Sequence, residues 1–485
     1  MPLDEQLKLL ELSIATAVEA SLGLPAADRR RFIANHLLAQ HEGREPPAGA
    51  RPETYDDVRG ILHGLGESLT AVVNEARGRA GWPLRAVAEL LLQRHEAAAA
   101  PADAPSLSQS SGSTSEGPVR PPHFGPDGLL DSVASGAIAP LRGRWLVELH
   151  RNGGRLERRQ ALPLEAFWTA DELREMVGKL GDDYGLLFVA LSYRWLDKDH
   201  PDPEGFHLAT VAKVAKLYMK GNMKDNIKDA SPLATAFDDR GLGEPDFALF
   251  WDFASLFQKP RSEAEDALFL PGLRASNVWY GHELSVCWMQ TELPAGFEEK
   301  MVAAGLAADY IESGWCFVEA AISAGLKVGK RRLDLGKRTE IGMTTYACKY
   351  CSEGYQLERV CAASREPPLL PDEVRHLLET AKKFTSKADV AVVDRLYRDF
   401  FEGAARFAEC LDFSRLQWGD DEVGRLVCAL PHFAALTTLD LSKNEVGARG
   451  AKALGEFLQS GTAVMTSAVL TSATTRSARS KCSTW

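Results

Sequence analysis

No run of about 18 apolar residues occurs in the 485-residue chain, so nothing in it is expected to span a bilayer. A basic surplus is missing too. With 56 Lys and Arg against 67 Asp and Glu, the net charge of −11 excludes a general nucleic-acid binder, which needs cations to displace the counterions of a phosphate backbone. The first residues, MPLDEQLKLL, lack the basic-then-apolar order of a secretory leader, and a cytoplasmic address is expected. Cysteine is sparse: eight residues, all in the second half and irregularly spaced, read as reduced thiols and not as a disulfide framework. A G-x-x-x-x-G-K-[ST] loop is also absent. GLKVGKRR (Gly325 to Arg332) is one residue short and lacks the hydroxyl, so no phosphate-cradling switch is expected. What is present, 45% hydrophobic and 25% charged residues over this length, suits roughly three globular units with linkers.

Two N-terminal segments repeat each other at an offset of 54: Thr16 to Glu42 lies over Thr70 to Glu96 without a gap. Each reads as a helix, a turn and a second helix, with Phe32, Ile33, Leu37 and Leu38 on one and Val87, Leu90, Leu91 and Leu92 on the other at helical spacing. WPLRAVAELLLQ, with Pro83 opening the helix, resembles the docking-and-dimerisation domains of the protein kinase A regulatory-subunit type and their Dpy-30-like relatives. The first copy carries Asp28-Arg29 where that family has Pro. The resemblance implies a homo-oligomer and protein partners, with amphipathic helices docked on residues 1–48 and 54–97. A plain helical hairpin is the alternative. Residues 98–127, rich in Ala, Pro, Ser and Gly, read as a disordered linker.

Beyond the linker, residues 144–163 (RWLVELHRNGGRLERRQALP) read as a hairpin around Asn152-Gly153, and Thr169 to Leu180 as a helix capped by Thr169 with Glu172 three residues on. Continuous apolar runs then appear at Leu186 to Tyr193, Phe247 to Phe253 and Ser285 to Met289, each of strand length and separated by helical stretches. That alternation predicts a parallel-sheet α/β domain with its ligand site beyond the carboxyl ends of the strands, at Ser192 to Asp197 and Asp252 to Gln258.

Three blocks carry a second resemblance. ALSYRW is similar to the first strand of Toll/interleukin-receptor (TIR) domains and of the related fungal heterokaryon-incompatibility domain. FWDFASLFQKPRSEAEDALFLPGLRASNVWY resembles the second block of the fungal family, and SGWCFVEAAIS the Trp-Cys-x-x-Glu segment of plant-type TIR domains. The insert at Lys220 to Glu244 and Trp195, where plant sequences have glycine, depart from the pattern. The resemblance implies that Glu319 is the carboxylate with which such domains cleave NAD. Ser192, Arg194, Trp195, Asp252 and Trp315 would then line the ligand, Arg194 toward a phosphate and Trp315 screening Glu319 from four residues away. NAD enters only as a possible substrate; no cofactor is required. The alternative is a glutamate in the first turn of an ordinary helix, favoured there by the dipole.

Cys348 and Cys351 form one C-x-x-C with Cys361 and His376 downstream, too loose a set to assign a metal. The basic cluster Lys327 to Arg338 reads as a solvated face. Near the end, LDFSRLQWGDDEVGRLVCAL and LDLSKNEVGARGAKALGEFL repeat at an interval of 28 and resemble leucine-rich repeats of the ribonuclease-inhibitor type.

The expected architecture is multidomain α and α/β: two helical docking-like units, the linker, a TIR-like domain over 128–405 with an N-terminal hairpin, leucine-rich repeats over 406–459, and a disordered tail over 460–485. The expected function is a cytosolic signalling scaffold in which dimerising helices gather TIR-like domains. An NAD glycohydrolase using Glu319 is the alternative.

Overall fold

The computed structural model describes residues 122–221, 230–327, 331–341, 353–459 and 467–469. The docking-like units 1–48 and 54–97, the linker up to residue 121, Cys348 and Cys351, and the tail apart from 467–469 lie outside the described residues.

In chain order the elements are α1 (Asp127–Ala134), β1 (Leu141–Arg142), α2 (Gly143–Arg151), α3 (Ala170–Leu180), β2 (Phe188–Tyr193), α4 (Phe206–Tyr218), β3 (Ala248–Phe250), α5 (Glu263–Gly281), β4 (Val286–Gln290), α6 (Gly314–Leu326) and β5 (Arg332–Asp334). Then come α7 (Pro371–Thr380), α8 (Asp389–Phe407), β6 (Cys410–Asp412), α9 (Asp420–Ala429), β7 (Thr438–Asp440), α10 (Ala448–Gln459) and β8 (Ser467–Val469). The protein is thus mixed α/β, and its main sheet runs β1-β3-β2-β4-β5 with only β1 antiparallel. The first parallel strand, β2, is central; β3 lies on one side of it, β4 and β5 on the other. The winding therefore reverses between β2 and β4, the point of a doubly wound sheet beyond whose carboxyl ends ligand sites form.

Both faces of β2 are buried, which is why it reads as an unbroken apolar run. Side chains alternate across the sheet. Phe188 and Phe250 meet Trp279 of α5 on one face, while Phe247 and Trp288 meet Tyr218 of α4 on the other. Helices α5, α6 and α8 pack together on the first face.

Residues 144–163 are not a hairpin. Most of the first half forms α2, which buries Leu146, and Asn152-Gly153 ends that helix instead of turning two strands. Gly153 adopts φ +69°, and the N–H of Gly154 closes on the carbonyl of Leu149. A left-handed glycine after a helix and one in a tight hairpin leave the same sequence mark. The linker likewise ends earlier than Asp127: His123 is buried, with its ring edge-on to Phe400, and Asp127 already opens α1. Thr169 caps α3 in a capping box with Glu172, as their spacing predicts.

The supposed solvated basic face is also revised. Lys327 and Arg332 are buried. The Lys327 ammonium donates to the carbonyls of His282 and Ser285 and to the Ser285 hydroxyl, and Arg332 donates to Ser323 Oγ and to the carbonyls of Ser364 and Ala320. The His282 carbonyl stands at the carboxyl end of α5, where carbonyls lack intrahelical partners and a cation is favoured.

The 28-residue interval reappears as strand register: Leu411 pairs with Leu439 and Asp412 with Asp440 in a second parallel sheet, β6-β7-β8. Asn444 is buried between the two strand–helix units. Its carbonyl accepts from the N–H groups of Leu416 and Trp418, and its amide donates to Phe413 and Leu441. The hydrophobic core continues from the main sheet into these units. Arg365 ties them to α6, donating to the carbonyls of Ala324 and Asp412.

Candidate active site

Helix α6 is set by its first residues. Ser313 gives no side-chain cap; instead the Gly314 N–H donates to the carbonyl of Lys383. A Cβ on Gly314 would stand 1.9 Å from Phe384 Cζ, so only glycine fits under that ring. Trp315, the next residue, donates through its indole N–H to Asp389 at the start of α8. It anchors α6 against α8. Glu319 is the sixth residue of α6, beyond the first turn, so the dipole argument for a helix-start glutamate does not apply.

Glu319 meets the carboxyl end of β2. Its Oε2 accepts a hydrogen bond from Ser192 Oγ at 2.5 Å, and the same hydroxyl lies 2.5 Å from the hydroxyl of Tyr310. Ser192 and Tyr310 are buried and Glu319 is half-buried. Burial pushes the Glu319 carboxyl up to about 8, opposed by the hydrogen bond from Ser192 and by the nearby Tyr280 hydroxyl and assisted by the charge of Asp252. No lysine or arginine among the described residues forms an ion pair with it.

Asp252 begins a short helix, Asp252–Ser255, directly after β3. It accepts from the Tyr193 hydroxyl (2.6 Å), the Trp195 indole (3.1 Å) and the Phe253 N–H (2.6 Å). Burial raises its carboxyl against those three donors. Trp195 stands edge-on to Phe253, 5.9 Å between ring centroids. The charge of Asp252 reaches Glu319 and opposes its ionisation.

Arg194 follows Tyr193 at the end of β2. It is buried, its Nε has no hydrogen-bond partner, and burial lowers its pKa. The buried Cys316 is close enough to influence its charge, and also senses Glu319 and Asp252. Cys316 itself donates to the Tyr193 carbonyl.

Of the six residues expected from the sequence, Ser192, Glu319, Asp252 and Trp195 form one connected neighbourhood. Arg194 lies at its edge, and the Trp315 indole is turned to α8. Tyr193, Tyr280 and Tyr310 are the residues that sequence reading did not assign. Tyr310 comes from the loop before α6, where no periodicity marks a side chain as inward. Tyr280, whose hydroxyl donates to the Leu191 carbonyl, is the penultimate residue of α5. Among the described residues, no group of three or more His, Cys, Asp or Glu is arranged to hold a metal ion, and no helix is long and apolar enough to cross a membrane. An open groove of about 670 Å³ between α7 and α8, lined by Asp372, Arg398 and Glu402, involves none of these residues. No family model, curated protein or solved structure matches the chain.

Proposed function

We propose that the α/β unit cleaves the N-glycosidic bond of a cationic nucleotide, with NAD as the substrate and Glu319 as the catalytic carboxylate. The observation that carries this reading is a carboxylate held by the Ser192 hydroxyl at the winding reversal of the sheet, raised by burial and with no ion-pair partner among the described residues. Such a group favours an incoming positive charge. Departure of neutral nicotinamide leaves an oxocarbenium-like ribosyl centre, which an adjacent carboxylate stabilises without a second acid for the leaving group. Water then adds, giving ADP-ribose, nicotinamide and a proton. Arg194, buried and unpartnered at Nε, supports a role toward the pyrophosphate.

Because the empty carboxyl is held up at about 8, a cationic substrate arriving at neutral pH favours its ionisation, and binding is accompanied by proton release. Incubation of the purified protein and its Glu319→Ala variant with NAD, followed by chromatography of nicotinamide, tests the reading. Release is expected from the parent alone; equal background rates in both remove it. Dimerisation through residues 1–48 and 54–97 would raise the effective concentration of these units. It belongs to the same proposal and is tested by sedimentation of the whole chain over a concentration series, where a monomer throughout would refute it.

A further inference from the structure

We propose that Tyr310 is a positioning residue for Glu319: through the Ser192 hydroxyl it completes a directed hydrogen-bond chain that ends on the Glu319 carboxylate and sets when that group carries its charge. This deepens the proposed function and rests on the same site. The argument begins with hydrogens. Tyr310 and Ser192 supply one hydroxyl hydrogen each, and the two contacts, Tyr310 to Ser192 and Ser192 to Glu319 Oε2, are both 2.5 Å. When Glu319 is ionised it only accepts, so Ser192 donates to it and Tyr310 donates to Ser192; both hydrogens are used. A proton on Oε2 reverses the chain, so that Ser192 donates to Tyr310 and the phenol hydrogen loses this acceptor; a proton on Oε1 leaves Oε2 an uncharged and weaker acceptor. Tyr310 therefore favours the ionised form, against the desolvation that opposes it.

The phenol remains a donor throughout, because burial raises its own pKa well above the ordinary value. The other groups facing Glu319 come from every element around it. They are Tyr193 from β2, Asp252 after β3, Tyr280 from α5, Cys287 from β4 and Cys316 from α6. None is a cation, and Asp252 works in the opposite direction to Tyr310. Ser192 and Tyr310 are 118 residues apart in sequence, so the chain exists only in the folded unit.

Tyr310→Phe removes the hydroxyl and keeps the ring. The Glu319 carboxyl is followed by carbon-13 NMR of glutamate-labelled protein, its signal assigned by loss in Glu319→Gln. Its titration is expected to move upward by about one pH unit in Tyr310→Phe. Ser192→Ala should move it at least as far, and adding Tyr310→Phe to Ser192→Ala should move it no further, since Tyr310 acts through that hydroxyl. Ser192→Thr, which keeps a hydroxyl, should restore a near-parental titration. In nicotinamide release, the ascending limb of the kcat/KM pH profile, which reports the free protein, should move with the NMR titration. An unmoved Glu319 titration in Tyr310→Phe, or additive shifts in the double variant, overturns the proposal. The NMR titration needs no turnover. Shifts as expected with no nicotinamide released by any protein would leave the role of Tyr310 standing and remove the glycohydrolase reading alone.

Discussion

Replacing Glu319 with Gln should stabilise the fold at alkaline pH even as it removes the proposed activity. Below about pH 4.5 the carboxyl is protonated in both folded and unfolded chains, and it contributes no pH dependence. Between 4.5 and about 8 the unfolded chain releases this proton while the folded one keeps it, so stability falls as pH rises. Above about 8 both forms are ionised and the whole penalty is present. At about 1.4 kcal/mol per pH unit the ceiling is roughly 5 kcal/mol, and because Glu319 is half-buried, solvent screening reduces the expected gain in Glu319→Gln to roughly 2–3 kcal/mol. Lys327, held down at about 7 by burial, has the reverse effect: stability rises with pH from there to its ordinary value of 10.5. The informative quantity is therefore the difference between the two proteins at each pH. Urea unfolding at pH 5, 7 and 8.5 measures it, provided the slope m is common to both. The variant should gain steadily on the parent across that range. A difference that stays flat with pH would refute the claim that this carboxyl is held above its ordinary range.

Gly314→Ala isolates the close approach at the start of α6. Helix propensity alone would favour alanine by up to about 1 kcal/mol, whereas displacement of Phe384 should cost about 1–3 kcal/mol net, read as a lower Tm; an unchanged or raised Tm would deny the contact. Asn444→Ala should cost roughly 2–4 kcal/mol, since two N–H groups and two carbonyls lose their partner together. Hydrogen exchange at Leu416 and Trp418 should speed up at least tenfold, and unchanged rates would show that the asparagine does not hold the two units.

Elements whose physics is local were legible in the sequence. The apolar runs at β2, β3 and β4 announced buried parallel strands, and Thr169 with Glu172 announced a cap, because burial on both faces and capping each leave a contiguous mark. Run length overstated β3, since Asp252 turns the chain into a helix before Phe253. At Asn152-Gly153 the local signal was genuine but ambiguous, and the apolar stripe of α2 decided it. The buried cations Lys327 and Arg332 were misread because a count of charges says nothing about the main-chain carbonyls that the fold brings to them. Ser192, Glu319 and Asp252 were reached through the order of three sequence blocks. Tyr310 and Tyr280 were not, because what makes them matter is proximity across the fold.

That proximity separates Glu319 from the carboxylates that serve the fold. Asp202 accepts from the N–H groups of His207 and Leu208 at the start of α4. Asp246 accepts from Arg144 and Phe247, joining α2 to β3. Asp420 accepts from Gly447 and Gly450, joining the two repeat units. Each holds main chain, and each loses that function if its charge or reach is changed. Glu319 accepts from the Ser192 hydroxyl and, among the described residues, from no main-chain N–H. A carboxylate that fastens no backbone, yet sits where ionisation is costly, adds little to the fold that a glutamine of the same shape would not add more cheaply. Its negative charge matters only to something that arrives. A stabilising effect of Glu319→Gln would therefore count in favour of the proposed function, since a carboxylate that costs stability where it stands is a candidate for chemistry.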